Sequence, residues 1–331
     1  MVHSDKAAKL HTESIIIDGL NISNWDSPDV FVKLRQGGLT TINATIAIWE
    51  NFTEAPDNIA RWYLRFEKYA DTIMPIKTAA DIEKAKVEGK CGIIFGFQNS
   101  SPIEDDLRRL RIFHELGVRI IQITYNNSNF VGSGYLDSPD YGLTNFGIDF
   151  IAECNRLGIV IDCSHVGYKT TVDAIKASIK PIAFTHAGPR ALCDHLRNKT
   201  DEQLEALAAK GGVVGANIWP TFLAAGNKAT LSDFLDTVDY MVKLIGIDHV
   251  GIGSDFIEGQ SREWLRWLFT GRNIDMEPRY QLGVPTYPEG IRGPTDFPNL
   301  TRGLLERNYS ERDVKKIMGE NFLRLFREVW A

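Results

Sequence analysis

Eight apolar, β-branched stretches alternate along the chain with segments of helical hydrophobic pattern. Most of these stretches are apolar at consecutive positions, which is typical of strands buried on both faces of a parallel sheet. The predicted strands are residues 14–19, 38–49, 91–98, 118–125, 158–165, 181–186, 211–219 and 249–256. Several of the intervening segments end in Gly, the usual residue at a helix C-terminus, so the pattern predicts alternating strands and helices.

This alternation predicts the α/β class and, within it, a (β/α)8 TIM barrel formed by residues 1–331 as a single domain. A doubly wound open sheet is the alternative fold. No G-x-G-x-x-G motif follows the first predicted strand, and this disfavours a dinucleotide-binding open sheet.

Two segments extend this barrel. Residues 257–297 form a long, aromatic-rich connection after the eighth predicted strand, with Trp264, Trp267, Phe269 and Tyr280. Long connections of this kind are usually functional, so we expect an insertion at the barrel mouth that acts as a lid or a dimer contact. The C-terminal stretch has apolar residues at helical spacing after Ser310 and Asp313, which predicts extra helices packed on the barrel.

The composition narrows the choice of partners and compartment. The 331 residues carry a formal net charge of −6, which argues against nucleic acid or an anionic membrane as the main partner. The four cysteines share no C-x-x-C spacing, so we expect reduced thiols and a cytoplasmic protein. We find neither an apolar signal segment near the start nor a run of 18 apolar residues, and expect no membrane span.

Polar side chains follow several predicted strands, at the end where TIM barrels carry their chemistry. His165 and His186 follow consecutive strands, and Asp255 follows the eighth. Neutral imidazole nitrogens bind Zn²⁺ and similar cations, and a nearby carboxylate completes the shell or accepts a proton from water. The three residues therefore predict a metal site, with a structural, hydrogen-bonded role as the alternative for each histidine.

The segment after the sixth predicted strand adds Arg190, His195 and Arg197. An arginine at a barrel mouth suits a substrate carboxylate, because its planar fork donates two parallel hydrogen bonds. A surface salt bridge is the alternative role for either arginine.

Three stretches of the chain point to a known family: "NRLGIVIDCSHVG" with "KPIAFTHAGPRALCDHLRNKTDEQLEALAAKGGVVGANIWPTFL", then "GIGSDF", then "FPNLTRGLLERNYSERDVKKIMGENFLRLFR". On these motifs the chain resembles the membrane (renal) dipeptidase family of the amidohydrolase superfamily, over nearly its whole length. The resemblance implies a (β/α)8 barrel that typically holds two zinc ions. It also implies homodimers.

The resemblance assigns roles to four residues of this chain. His165 and His186 correspond to the histidines that hold one zinc ion, and Asp255 corresponds to the aspartate that assists the attacking water. Arg197 corresponds to the arginine that binds the substrate carboxylate.

Four other positions depart from the pattern of the family. Leu20 and Ile22 stand where a His-x-Asp pair binds the other zinc ion, and Gln98 stands where a glutamate bridges both ions. Tyr125 stands where a histidine polarises the scissile carbonyl. The departures imply zero or one zinc ion per chain, on His165 and His186, with Gln98, Asp255 or water completing the shell.

We therefore expect a dipeptidase-like amide or peptide hydrolase that acts on a small, carboxylate-bearing substrate with at most one divalent metal ion. Asp255 would be the general base, and Tyr125 would donate a hydrogen bond to the developing oxyanion. Arg197, Tyr125 and Asn126 are the expected substrate-binding residues. The alternative is a non-catalytic or metal-free relative that binds a small molecule on the same scaffold.

Overall fold

The structure, a computed structural model, describes residues 2–271 and 285–330. Its strands form one parallel sheet: β1 (Ile17–Asn21), β2 (Thr41–Ala47), β3 (Ile73–Ile76), β4 (Cys91–Phe97), β5 (Val118–Gln122), β6 (Val160–Asp162), β7 (Ala183–Ala187), β8 (Val213–Asn217) and β9 (Val250–Gly253). The order is β2-β1-β9-β8-β7-β6-β5-β4-β3, and β2 also pairs with β4. That pairing closes a ring of eight strands, which confirms the predicted TIM barrel.

Helices connect and surround the strands. They are α1 (Val2–Glu13), α2 (Pro28–Gln36), α3 (Ala55–Lys68), α4 (Ala79–Glu88), α5 (Arg108–Glu115), α6 (Asn145–Leu157), α7 (Tyr168–Ala177), α8 (Asp201–Ala209), α9 (Leu231–Ile245), α10 (Arg262–Thr270), α11 (Phe297–Glu306), α12 (Glu311–Lys315) and α13 (Asn321–Val329). Within the two described ranges, no helix is both long enough and apolar enough to cross a membrane.

Each of the eight predicted strands overlaps an observed one, but the short strand β3 was not predicted. The sequence pattern extends the helical segment before it through Ile73, whereas the structure ends α3 at Lys68. Two features hide this strand: only its two end residues are buried, and Pro75 cannot donate to a ladder. It lies beside the first half of β4, outside the closed ring.

The end of the barrel opposite the strand carboxyl ends is filled by the C-terminal helix. The ring of Phe322 on α13 belongs to a buried cluster with Ile17, Ile94 and Val213. A methyl group on Gly19 or Gly251 would approach this ring to 2.8 or 2.6 Å, so glycine is required at both positions. The C-terminal helices are therefore part of the barrel core.

The C-terminal helices begin as the sequence predicts. The Ser310 hydroxyl accepts a hydrogen bond from the Asp313 backbone N–H, 3.2 Å away, which caps α12. The predicted stripe is buried: Val314, Ile317, Met318, Leu325 and Phe326. The extra C-terminal helices are thus confirmed.

The long connection is described at both of its ends. Helix α10 buries Leu265 and Leu268 in a cluster with residues of the strand ends, including Leu20, Ile22 and Tyr125. Residues 272–284, which include Tyr280, lie outside the described residues. The role of 257–297 as a lid or dimer contact stays a prediction.

Candidate metal and substrate site

Two histidines meet at the carboxyl end of neighbouring strands. His165 follows β6 and His186 lies within β7, and both side chains are buried. Their Nε2 atoms are 3.0 Å apart. Burial and the positive charge of Arg197 hold the pKa of both imidazoles well below the usual range. The pair is therefore neutral, which is the form that binds a metal ion.

The other ring nitrogens of the pair have their own partners. The Nδ1 atom of His165 is 2.7 Å from Oδ1 of Asn126, and Nδ1 of His186 is 2.8 Å from the Thr185 hydroxyl. These contacts occupy both Nδ1 atoms, and the two Nε2 atoms face each other. Two nitrogens held by one tetrahedral Zn²⁺ lie about 3.3 Å apart, so the pair fits such an ion with a small separation.

A full set of charged ligands is not formed around the pair. Within residues 2–271 and 285–330, no three His, Cys, Asp or Glu side chains come close enough to hold a metal ion. The amide of Gln98 donates through Nε2 to Thr45, 2.9 Å away, and its buried Oε1 has no hydrogen-bond partner among the described residues.

Leu20 and Ile22, which depart from the pattern of the family, are packed with apolar groups. Leu20 and Ile22 belong to a buried cluster that also contains Ile48, Trp219 and Leu265. The backbone of β1 still connects to β9, because Leu20 O accepts from the Asp255 N–H at 3.0 Å. The carboxyl end of β1 is therefore an apolar environment, which suits aliphatic side chains rather than charged ligands.

Arg197 lies at the same end of the barrel with no exposed surface. Its Nη2 donates to the carbonyl of His186, 2.6 Å away, and its guanidinium lies over the ring of Phe222. In the part of the chain that the structure describes, neither Nε nor Nη1 has a hydrogen-bond partner. A buried guanidinium with two such nitrogens is costly to leave unpaired.

Asp255 is held by its backbone rather than by its carboxylate. Its φ of 56° is unusual for a residue with a side chain. The backbone carbonyl accepts from the Tyr287 hydroxyl at 2.6 Å, while the carboxylate has a long contact of 3.4 Å with Asn217. Burial raises the pKa of Asp255 to about 6, and Arg197 opposes part of that shift. The carboxylate is thus poised to exchange a proton near neutral pH.

Tyr125 covers the histidine pair. Its ring stacks on His165, with centroids 4.3 Å apart, and meets the edge of Trp49. Burial raises its pKa well above the usual value, so the hydroxyl keeps its proton and remains a donor. Asn126 follows with a φ of 62°, and its side-chain amide contacts Nδ1 of His165 rather than pointing freely into the mouth.

Arg190 and His195 are the other two candidate residues in the segment that carries Arg197. Arg190 forms an exposed ion pair with Asp194, the alternative role considered from the sequence. His195 is half-buried against Phe222, and its Nδ1 accepts from the backbone N–H of Arg197 at 3.0 Å. His195 therefore supports the chain segment that carries Arg197.

Sequence reasoning missed a group of buried polar residues next to the pair: Asp162, Ser164 and Thr185. It also missed Tyr287, whose hydroxyl donates to the carbonyl of Asp255. Asp162 is buried and accepts four hydrogen bonds from Ser164 and Thr185. An aspartate at the end of an apolar run, three residues before a candidate ligand, was the signal that could have identified it.

The fold is thus a closed parallel barrel with a buried histidine pair at the carboxyl end of its strands. The family model described as "Membrane dipeptidase (Peptidase family M19)" matches residues 3–265 and 278–331, so the chain belongs to this family.

Known relatives agree with this assignment. Dipeptidase tcpJ of Claviceps purpurea is 32% identical over 266 residues, which are 80% of this chain and 57% of the relative. An uncharacterized dipeptidase of Schizosaccharomyces pombe is 31% identical over 269 residues, 79% of this chain and 59% of the relative. The chain thus spans little more than half the length of these relatives. The crystal structure of an amidohydrolase from Pseudomonas aeruginosa superposes with a TM-score of 0.95 at 41% identity, covering 98% of this chain and 99% of that one.

Proposed function

We propose that the chain is a dipeptidase-type amide hydrolase for a small substrate with a free carboxylate, working with at most one divalent metal ion, zinc. The observation that carries this proposal is Arg197, which is fully buried and has two unpartnered nitrogens beside the histidine pair. A substrate carboxylate that accepts from one of these nitrogens would neutralise the buried charge. Asp255 contributes opposite charge without a hydrogen bond to the guanidinium.

His165 and His186 would hold the metal ion, with the free Oε1 of Gln98, Asp255 or water as further ligands. A Zn²⁺ ion held there would polarise the scissile carbonyl as a Lewis acid. The neutral histidines, the neutral Gln98 and the apolar cluster beyond it support a single ion rather than two.

The chain's own residues would carry the proton transfers. Water attacks the carbonyl carbon of the amide, and the ionised carboxylate of Asp255 accepts the proton that the water loses. The Tyr125 hydroxyl donates a hydrogen bond to the oxygen that becomes negative. Asp255 then gives its proton to the leaving nitrogen as the C–N bond breaks. Arg197 keeps the substrate carboxylate in place throughout, with Asn126 at the same wall of the site.

A metal-free binding protein is the second candidate. It is favoured by one observation, that no three acidic, thiol or imidazole ligands converge within residues 2–271 and 285–330. Such a protein would use Arg197 for the same carboxylate and would not turn it over.

Two properties complete the proposal. We propose a homodimer, in which aromatic residues of the 257–297 segment such as the half-buried Trp264 and Trp267 become covered. We also propose a cytoplasmic location, supported by the four free thiols, three of which are buried.

The test compares a panel of dipeptides with the same dipeptides amidated at the carboxyl end. Purification without chelator and elemental analysis give the metal content per chain. We expect at most one zinc ion per chain and hydrolysis of the free acids only. Turnover of acids and amides at equal rates would contradict the role of the carboxylate, and two ions per chain would contradict the single site.

Two variants at one position sharpen this test. Arg197→Ala should weaken a carboxylate ligand by about 2–5 kcal/mol, because a desolvated charge pair is lost. Arg197→Lys keeps the charge but not the fork, and should recover only part of the affinity. Binding of a carboxylate without turnover in the zinc-loaded protein would favour the binding protein over the enzyme.

A further inference from the structure

The carboxylate of Asp162 accepts four hydrogen bonds. Its Oδ1 accepts from the Ser164 N–H at 2.9 Å, the Ser164 hydroxyl at 2.6 Å and the Thr185 N–H at 3.0 Å. Its Oδ2 accepts from the Thr185 hydroxyl at 2.6 Å. Burial raises the pKa of Asp162, and the four donors oppose that shift by stabilising the ionised form, which can only accept.

This arrangement determines where the proton of the Thr185 hydroxyl lies. A hydroxyl has one hydrogen, and the short contact to Asp162 uses it. The contact of 2.8 Å between this hydroxyl and His186 therefore needs the hydrogen of the histidine, on Nδ1. His186 consequently presents a lone pair at Nε2.

The partner of His165 imposes no such restriction. Asn126 carries both an acceptor oxygen and a donor nitrogen on one amide, and a half-turn of that amide exchanges them. Its contact of 2.7 Å with Nδ1 of His165 is compatible with a hydrogen on either atom. His165 is therefore free to carry its proton on Nδ1 or on Nε2.

The distance of 3.0 Å between the two Nε2 atoms needs a cation or a hydrogen between them, because two lone pairs repel. We propose that Asp162 and Thr185 lock His186 with its proton on Nδ1, and that His165 alone changes tautomer when a metal ion binds. In the metal-free protein His165 donates from Nε2 to His186, and in the metal-bound protein its proton moves to Nδ1 while the Asn126 amide turns. Asp162 and Thr185 are thus positioning residues, and this inference rests on the proposed function only for the identity of the metal ligands.

The test is a long-range ¹H–¹⁵N spectrum of protein labelled with ¹⁵N-histidine, recorded after chelation and again with zinc. His165→Gln and His186→Gln assign the two rings. We expect His186 to carry its proton on Nδ1 in both spectra, and His165 to change from Nε2 to Nδ1 on addition of zinc. A proton on Nε2 of His186 in the chelated protein would overturn the lock. An unchanged His165 spectrum with zinc, whether or not zinc binds, would overturn the exchange.

A variant with almost the same shape tests the cause. In Asp162→Asn the amide can donate to the Thr185 oxygen, so the hydroxyl hydrogen turns to His186 and the ring proton moves to Nε2. Zinc affinity, measured by titration calorimetry, should fall about 10–100-fold. Thr185→Ser is the matched control and should keep the Nδ1 proton and the affinity of the unchanged protein. If Asp162→Asn does not fold, Thr185→Val removes the same acceptor and should give the same tautomer.

The outcomes separate this inference from the proposed function. A His186 ring that keeps its Nδ1 proton in Asp162→Asn or Thr185→Val overturns the lock, even if the protein hydrolyses dipeptides. The expected tautomers in a zinc-binding protein that hydrolyses nothing support the inference and contradict only the enzymatic proposal.

Discussion

Asp255 is a buried residue whose charge lowers the stability of the fold at neutral pH. The carboxyl group is buried, and its pKa is raised from 3.8 to about 6. A raised pKa means that the fold favours the protonated form, so the stability it contributes is complete below pH 4 and is lost as the pH rises through 6. Above pH 6 the folded chain carries a buried charge that the unfolded chain would expose to water.

We therefore expect Asp255→Asn to stabilise the metal-free protein at pH 7–8 by roughly 1–3 kcal/mol and to have no effect near pH 4. Urea unfolding at several pH values measures this difference. Asp106→Asn is the matched control: Arg108 lowers the pKa of that exposed carboxyl group to about 2, so neutralisation should give no gain above pH 6. A gain in the Asp255 variant that is the same at pH 4 and pH 8 would assign the effect to packing instead.

The pH dependence of turnover should follow the same group. Because Asp255 must be ionised to accept a proton, kcat/KM should fall below pH 6, approaching a tenfold loss per pH unit. Initial rates on a cleaved dipeptide, measured from pH 4.5 to 8, provide the profile. A rate that stays constant down to pH 4.5 would remove Asp255 as the base.

The residues of the site differ in how far the sequence revealed them. His165, His186 and Arg197 stand at strand ends or in motifs, and the structure brings them to one end of the barrel. Asp162 and Thr185 lie inside apolar strands, where polar residues usually have a structural role. Their relation to His186 depends on distances and on a count of hydrogens, and neither follows from spacing along the chain.

At the scale of elements, the carboxyl end of β1 is closed off by apolar packing. Leu20 and Ile22 end this strand in an apolar cluster, with Leu265 and Leu268 of α10 above it. Helix α10 is also fixed to the end of β2, since Nε1 of Trp49 donates to the carbonyl of Leu268 at 3.1 Å. Leu20 and Ile22 are thus part of the packing between the barrel and a neighbouring helix.

This packing gives a prediction for rebuilding the second site. Ile22→Asp alone should destabilise the protein by about 2–5 kcal/mol, because a charge replaces a buried aliphatic group. The triple variant Leu20→His, Ile22→Asp and Gln98→Glu should regain part of that loss when zinc is added, and should bind a second ion. Thermal unfolding with and without zinc, together with elemental analysis, provides the measurement. A folded triple variant that takes up no second ion would show that these three positions alone do not explain the difference.

The elements themselves follow closely from hydrophobic pattern. Consecutive apolar positions located all eight strands of the closed ring, because a strand buried on both faces has no polar side to break the run. The strand β3 lies outside the ring, has two half-buried residues and contains Pro75, so it lacks that signature. The site loops were harder to predict, since positive φ at Asn126 and Asp255 depends on tertiary contacts.

At the scale of the whole molecule, we expect a dimer in solution. Trp264, Trp267 and Phe269 of α10 keep partly exposed rings in the single chain, and an interface would cover such rings. Light scattering at micromolar concentration should give twice the mass of the 37.2 kDa chain. Replacing Trp264 with Ala should shift the mass toward that of one chain if α10 lies in the interface, and replacing the exposed Val87 on α4 should not.

The position of Phe322 near the C-terminal end determines when, during translation, the barrel can be completed. β1 completes its pairing only with β9, and the ring of Phe322 fills the space between Gly19 and Gly251. During translation the first strands therefore leave the ribosome long before the residues that complete their surroundings have been made. Until then, open strand edges and apolar side chains are exposed to other chains. The barrel is therefore completed only after its C-terminal helix has been synthesised. Until then the unfinished chain needs protection from aggregation.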